Sequence, residues 1–300
     1  MKLSLFSTLR GYRKEYLPKD IFSGIIIAAV SIPISMGYAQ ISGIPAVYGL
    51  YGSVLPILLF ALFSTSRQFI FGVDAAPAAI VGGALSTLSI AAESEAAMDY
   101  VPAIALFAGL WLFIFFLLHA DKIVDFISTP VMGGFISGIA VTIILMQIPK
   151  LMGSPAGSGE LLELAEHIFA AAKNISWLSL FMGLGTLLLI RAFKKLAPKF
   201  PMAIVIMALG VLSTIVFHVD EKGVVLLQSV ERGLPSLMIP DFGNVDLTQA
   251  AGRGLMVAVV IMAETLLAEN TFAFRNDYKL NDRQEILACA AGNIAAAAVG

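Results

Sequence analysis

Nine apolar runs recur along the chain, and they constrain its fold more than any other feature. They lie at 21–40, 45–64, 75–92, 101–118, 126–149, 176–192, 201–217, 250–272 and 284–300. A helix needs about 20 apolar residues to cross the hydrocarbon core of a bilayer. The chain is 58% hydrophobic and only 13% charged, whereas soluble domains carry about 25% charged residues. These features predict an all-α, multi-pass integral membrane protein.

The basic residues predict how the chain is oriented. If the runs alternate across the membrane, most of the 19 Lys and Arg residues fall on the side of the N-terminus. Cytoplasmic loops are enriched in these residues, so we predict a cytoplasmic segment at 1–20 and a transmembrane domain at 21–300, in the plasma or inner membrane. Because the last run reaches Gly300 without a polar stop, we expect this domain to be incomplete.

Several function classes find no support in the sequence. The net charge of −2 gives no reason to expect a nucleic-acid partner. Cys289 is the only cysteine, and His119, His167 and His218 are scattered, so we expect no metal site and no cofactor. No HExxH, Walker A or GxSxG motif is present, and we expect the protein not to be an enzyme.

Two segments depart from plain spans. Pro33 lies about 20 Å into the first run, where it removes a backbone hydrogen bond. In the third segment a polar turn at 64–67 precedes residues 68–73, and Asp74 is a good N-cap for the helix that follows. Such a half-helix start inside a membrane would offer N–H groups and partial positive charge to an anion. A kinked packing helix and an ordinary loop are the alternatives, but the two segments together favour a binding site.

Four motifs then resemble the sulfate permease (SulP) family, also called solute carrier family 26. They are IPISMGYAQISGIPAVYGLY at 32–51, Thr65–Arg67 with Gly72–Ala75, FISTPVMGGFISG at 126–138, and Gln284–Glu285 with Gly292–Asn293. The resemblance implies an inverted-repeat fold of seven plus seven helices, truncated here after about nine, with a half-helix at the third segment. It also implies a C-terminal STAS domain, which this chain lacks.

The resemblance implies a secondary active transporter or exchanger of small anions such as sulfate, bicarbonate, chloride or dicarboxylates. The expected partners are the anion, a proton or a sodium ion, the lipid bilayer and a second copy of the chain in a homodimer. A mobile core with the first, third and eighth family helices would move against a scaffold of the fifth to seventh.

The predicted anion-binding residues lie in the two unusual segments. Ile34 and Tyr38 are one helical turn apart and share a face, which by resemblance lines the anion pocket. The family often has glutamine in place of Ile34, and plain packing is an equal alternative for that residue. Tyr38 could donate its hydroxyl to an anion. At the half-helix start, Asp74 would cap the helix while the backbone N–H groups of Ala75 and Ala76 meet the anion.

Glu264 is the predicted ion-coupling residue, since it lies deep in an apolar run. A carboxylate there is costly unless it is neutral, paired or wetted, and is functional by default; a structural acid is the alternative. Family members with sodium coupling can have a hydroxyl residue one turn later, where this chain has Ala268, which favours a proton over sodium. Glu269, near the helix end, is expected to be an interfacial charge.

Three rival functions remain. A nucleobase permease of the uracil or xanthine type would share the architecture, although the motif at 32–51 argues against it. An uncoupled anion channel or voltage-responsive motor would share the family. A membrane enzyme would need a catalytic cluster that the sequence does not provide.

Overall fold

The computed structural model of the chain describes residues 5–9, 11–124, 129–157, 161–196, 202–226, 233, 235–237 and 240–299. Within these ranges the chain forms helices and turns, and no strand. Residues 126–128 of the predicted fifth span and Gly300 lie outside the described residues. Two 3₁₀ turns come first, Ser7–Leu9 and Lys14–Tyr16. The α-helices are α1 (Leu17–Ile41), α2 (Ala46–Tyr51), α3 (Leu55–Phe63), α4 (Ala75–Thr87), α5 (Glu95–Leu118), α6 (Asp121–Val124), α7 (Thr129–Leu151), α8 (Leu161–Lys173), α9 (Trp177–Leu196), α10 (Met202–Phe217), α11 (Leu247–Arg275) and α12 (Asp282–Ala297).

Every predicted apolar run contains helix, although a turn at residues 52–54 divides the run 45–64 into α2 and α3. In the part of the chain that the structure describes, six stretches are long and apolar enough to cross a membrane: Lys14–Ile41, Ala46–Phe63, Glu95–Leu118, Gly133–Leu151, Trp177–Leu196 and Leu247–Arg275. Ala75–Thr87 and Val205–Phe217 are shorter apolar helices. The helix of the third predicted run, α4, ends at Thr87, whereas the sequence predicted apolar helix as far as residue 92. With 13 residues, α4 is about 20 Å long.

The described chain divides into two compact units. The first contains Met1–Tyr16, Ser35–Ile139 and Glu231–Gly300; the second contains Leu17–Ile34 and Ala140–Val230. The boundary in α1 falls just after Pro33, and the helix continues through this proline without interruption.

The core of the first unit is built by α5, α11 and α12, with α3 packed against α12. Ile104, Leu112, Leu266 and Ile286 are buried almost completely there. Glycines allow close approach: a Cβ at Gly109 would lie 2.9 Å from the backbone nitrogen of Ile294. Small residues at such crossings let membrane helices pack through backbone contact. Gly109 therefore allows α5 and α12 to pack closely in the core of this unit.

The second unit is built mainly from α8, α9 and α10. The turn between α7 and α8 places Gly153 at a φ of +86°, a conformation that glycine adopts without strain. The Gly157 N–H donates to the Met146 carbonyl at 2.9 Å, and the Ser176 N–H donates to the Met152 carbonyl at 2.9 Å. Leu164 of α8 is fully buried, so one face of this helix packs against its own unit.

Candidate functional site

The start of α4 has the geometry that the sequence predicted. Asp74 is the N-cap, with extended backbone (φ −120°, ψ 152°), and its Oδ1 accepts from the Ala75 N–H at 2.6 Å. The Ala78 N–H donates to the Asp74 carbonyl at 3.2 Å as the first helical bond. Since Pro77 has no N–H, Ala76 carries the remaining donor of the first turn. The sequence predicted that the N–H groups of both Ala75 and Ala76 meet an anion. Because the Ala75 N–H donates to Asp74, the structure leaves the Ala76 N–H for this role.

The backbone that leads into α4 is non-helical from Ser64 to Asp74. It is anchored by aromatic packing, since the Phe71 ring stacks on Phe60 with centroids 4.7 Å apart and Phe69 lies against the same ring at 5.9 Å. A Cβ at Gly292 of α12 would lie 2.5 Å from the Phe71 ring, so only glycine leaves room for it. Irregular backbone is tolerated in a membrane protein only where protein buries it or water wets it. Ser64 and Ser66 are buried, whereas Gly72 and Asp74 are exposed, so the segment runs from the protein interior to an open position at the start of α4.

Three predicted site residues come together around the start of α4. The Glu264 carboxyl of α11 lies within hydrogen-bonding reach of the Asp74 carboxyl. The half-buried Tyr38 lies near enough to Asp74 to interact with its charge. Asp74 itself is exposed, Glu264 is half-buried, and Ala76 is only 3% exposed. Asp74 thus links the helix N-terminus to the other two predicted residues, since its carboxyl adjoins that of Glu264 and its charge acts on Tyr38.

The predicted site residue Ile34 does not belong to the unit that contains Tyr38, Asp74 and Glu264. It belongs to the second unit, at the last α1 residue before the boundary, and its side chain is 45% exposed.

The expectation for Glu269 was wrong. It is not an interfacial charge but is fully buried, at 0% exposure, and its carboxyl lies within hydrogen-bonding reach of Glu285 of α12, which is also at 0%. The resemblance singled out Glu285 only as part of a motif and gave it no role. The sequence did contain a signal for a buried acid at Glu285. Gln284 and Glu285 lie in the first turn of an apolar, alanine-rich helix, and both must be buried with polar partners if that helix packs on both sides.

Relatives of known name cover nearly all of this chain. Sulfate transporter 4.1 of Arabidopsis thaliana, named as chloroplastic, is 29% identical over 301 residues, which cover 96% of this chain and 43% of that protein. A probable sulfate transporter of Mycobacterium tuberculosis is 25% identical over 287 residues, which cover 96% of this chain and 51% of that protein. The chain therefore spans about half the length of these relatives.

Solved structures share the fold. The structure of SLC26A9 matches with a TM-score of 0.85 at 18% identity, over 97% of this chain and 49% of that one. The transmembrane domain of the cyanobacterial bicarbonate transporter BicA matches with a TM-score of 0.81 at 20% identity, over 96% of this chain and 74% of that one. The predicted all-α, inverted-repeat transporter architecture is confirmed.

The family assignment rests on the match across the chain rather than on single motifs. The predicted resemblance is confirmed by the model of the sulfate permease family, which matches residues 17–300. This match covers all twelve α-helices, including the half-helix and both acidic positions of α11. The chain is thus a multi-pass membrane protein that belongs to the sulfate permease family.

Proposed function

We propose that this protein is a secondary active transporter or exchanger of small anions such as sulfate, bicarbonate, chloride or dicarboxylates. The observation that carries this proposal is the start of α4, where a helix begins inside the first unit beside Tyr38 and Glu264. The anion would accept from the Ala76 N–H and the Tyr38 hydroxyl, with the positive end of the helix dipole behind them. The side chains of Ala75 and Ala76 are small, but Ala76 is only 3% exposed, so an anion would have to reach the Ala76 N–H from the side of the half-buried Ala75.

The two carboxyls suggest why a proton would be carried with the anion. Asp74 and Glu264 place negative charge at the position where an anion would bind, which opposes binding as long as both are ionised. A proton shared between them removes one charge and leaves the helix dipole to act on the anion. Proton and anion would then favour each other's binding, which is the reciprocal coupling that a symporter needs.

The division of the chain supports an alternating-access movement. The helices of the site, α4 and α11, belong to the first unit, whereas α9 and α10 belong to the second. We propose, by resemblance to the family, that a mobile core with the first, third and eighth family helices carries the anion against a scaffold of the fifth to seventh. Ile34 stays a proposed pocket residue on the same ground.

The remaining features of the proposal follow the sequence and the family. The membrane would be the plasma or inner membrane with the N-terminus in the cytoplasm, in keeping with the distribution of basic residues. The working form would be a homodimer.

A transport panel tests the proposal directly. The full-length protein is reconstituted in liposomes and offered radiolabelled sulfate, bicarbonate, chloride, a dicarboxylate and uracil, each with and without proton and sodium gradients. We expect saturable uptake of at least one anion, driven by an inward proton gradient and unaffected by sodium. Uptake of uracil alone would replace the proposal with a nucleobase permease. A steep voltage-dependent anion current without uphill accumulation would replace it with a channel.

A further inference from the structure

A second acidic pair lies on α11 and α12, apart from the proposed anion site. Glu269 and Glu285 are both at 0% exposure, and each lies within hydrogen-bonding reach of the other. Neither oxygen of Glu269 accepts a hydrogen bond from any N–H or O–H group of the described residues. A buried carboxyl without a donor is costly, and natural structures retain it only where it has a partner or a ligand.

Glu285, in contrast, is fully supplied with donors. Its Oε2 accepts from the Ser64 hydroxyl at 2.7 Å. Its Oε1 accepts from the Thr65 N–H at 2.6 Å and also from the Thr65 hydroxyl. Three donors aimed at one carboxyl stabilise its ionised form, because hydrogen bonds to a charged acceptor are stronger than neutral ones. The geometry therefore assigns the charge to Glu285 and the need for a proton to Glu269.

The surroundings contribute further acid, since Asp282 adds negative charge near Glu269. The next residue, Arg283, donates from its Nε to the Phe116 carbonyl, and its guanidinium lies 4.7 Å from the centre of that ring. Two carboxylates side by side in such a place cannot both be ionised, and the usual solution is one shared proton.

The remaining charged groups belong to the short helix α6, which packs against both α11 and α12. They are Asp121, whose Oδ1 is buried without a donor among the described residues, and the exposed Lys122. The Ser64–Ser66 turn contributes only hydroxyl and backbone donors.

We propose that Glu269 and Glu285 form a proton-binding site in which a single proton on Glu269 is donated to the Glu285 carboxylate, and that this proton fixes the Ser64–Thr65 turn to the start of α12. Gln284 supports the same junction, since its Nε2 donates to the Phe63 carbonyl at 2.6 Å. The Asn281 N–H donates to the Thr65 hydroxyl at 3.1 Å. Loss of the proton would leave two facing charges, and their repulsion would loosen the turn at which the segment leading to α4 begins.

Infrared spectroscopy tests this site without any anion, so its failure is distinguishable from failure of the proposed function. The full-length protein in lipid is titrated from pH 6 to 9 while the carbonyl stretch of protonated carboxyls is followed, with exchange into D2O to identify it. We expect a protonated-carboxyl band that persists across this range, that Glu269→Gln removes and that Glu264→Gln leaves in place. A wild-type spectrum that loses no band in the Glu269→Gln variant would overturn the proposal.

Stability supplies the second readout. Glutamine at 269 keeps the shape and can donate Nε2–H to Glu285, so the midpoint of thermal unfolding should fall by less than about 3 °C and become independent of pH between 6 and 9. Glu269→Ala removes the donor and should lower the midpoint further. If Glu269→Gln fails to fold, Glu269→Ala replaces it in the infrared comparison, since it also removes the Glu269 carboxyl. A midpoint that rises with sodium at fixed pH in the wild type and in Glu264→Gln, but not in Glu269→Gln, would show that a cation, and not a proton, occupies the site, and would also overturn the proposal.

Discussion

Two acidic sites on the same helix have opposite surroundings. Glu264 and Glu269 are five residues apart on α11 and so point about 140° apart around its axis. Glu264 is half-buried and faces the exposed Asp74 at the start of α4, whereas Glu269 is fully buried and faces the fully buried Glu285 of α12. The Oε2 atom of Glu264 is buried without a hydrogen-bond partner among the described residues, but its carboxyl adjoins an exposed group, whereas that of Glu269 adjoins a buried one. Access, more than residue type, thus separates the proposed transport site from the proposed proton-binding site.

The largest effect is expected from bulk at the accessible site. In Ala75→Trp an indole ring fills the space in front of the Ala76 N–H, so anion affinity should fall by at least about 100-fold, as measured by titration calorimetry. The infrared band assigned to Glu269 should be unchanged, because the sealed pair is not touched. Ala75→Ser is the matched control and should bind anion nearly normally. Normal binding by the tryptophan variant would refute the half-helix site.

The next prediction separates the two glutamates by function. Glu264→Gln cannot release a proton, so uptake driven by a pH gradient should fall at least about tenfold, while counterflow exchange of anion for anion stays measurable. Glu269→Gln is the control on the same helix, and it should keep pH-driven uptake because the sealed proton does not travel with the anion. Unchanged pH-driven uptake in Glu264→Gln, or its loss in Glu269→Gln, would break the comparison.

A third prediction concerns the seat of α4. A Cβ at Gly82 would lie 2.1 Å from the Ile41 carbonyl oxygen, whereas nothing described lies within 4 Å of a Cβ at Gly83. Gly82→Ala should therefore push α4 away from α1 and lower the thermal midpoint by about 6 °C, the size expected for overpacking. Gly83→Ala should leave the midpoint unchanged or raise it, since alanine favours helix. Equal midpoints for the two variants would contradict the close approach.

The smallest effect is expected at the sealed site. Thr65→Val keeps the side-chain shape and the backbone N–H but removes the hydroxyl, which donates to Glu285 and accepts from the Asn281 N–H. The loss should cost about 1.5 kcal/mol, or a midpoint about 4 °C lower. Thr271→Val removes a hydroxyl that bonds only its own helix, at the Leu267 carbonyl, and serves as the control. A control variant that loses as much stability as Thr65→Val would argue against a special role for the Thr65 hydroxyl.

Much of the fold was predictable because its signals are local. The apolar runs coincide with helices, and Asp74 was recognised as an N-cap because capping depends on a residue and the two or three that follow it. Helix α4 ends earlier than predicted. Its apolar composition favours helix up to residue 92, but the chain turns after Thr87 to reach α5. Local preference cannot report where a neighbouring helix makes the chain turn.

The sites were only partly predictable for the same reason. Tyr38, Asp74 and Glu264 were each found by depth in an apolar run or by helix capping, and the structure brings them together. Glu269 was misassigned because a position six residues before the end of a membrane helix is, by sequence, near the interface. Its true partner lies on the next helix, beyond a polar turn, and nothing in the local pattern states which face of α11 that helix covers.

The sequence by itself determined that this chain is helical, lies in a membrane and resembles the sulfate permease family, because hydrophobicity, helix length and short motifs are properties of contiguous residues. Only the tertiary structure decided that the Asp74 carboxylate accepts from the Ala75 N–H and that Glu264 faces Asp74. It also decided that Glu269 and Glu285 are buried next to each other, with Glu285 bonded to the Ser64–Thr65 turn. These contacts join residues far apart in the chain, and the cost of burying each carboxyl depends on the donors that other helices bring to it.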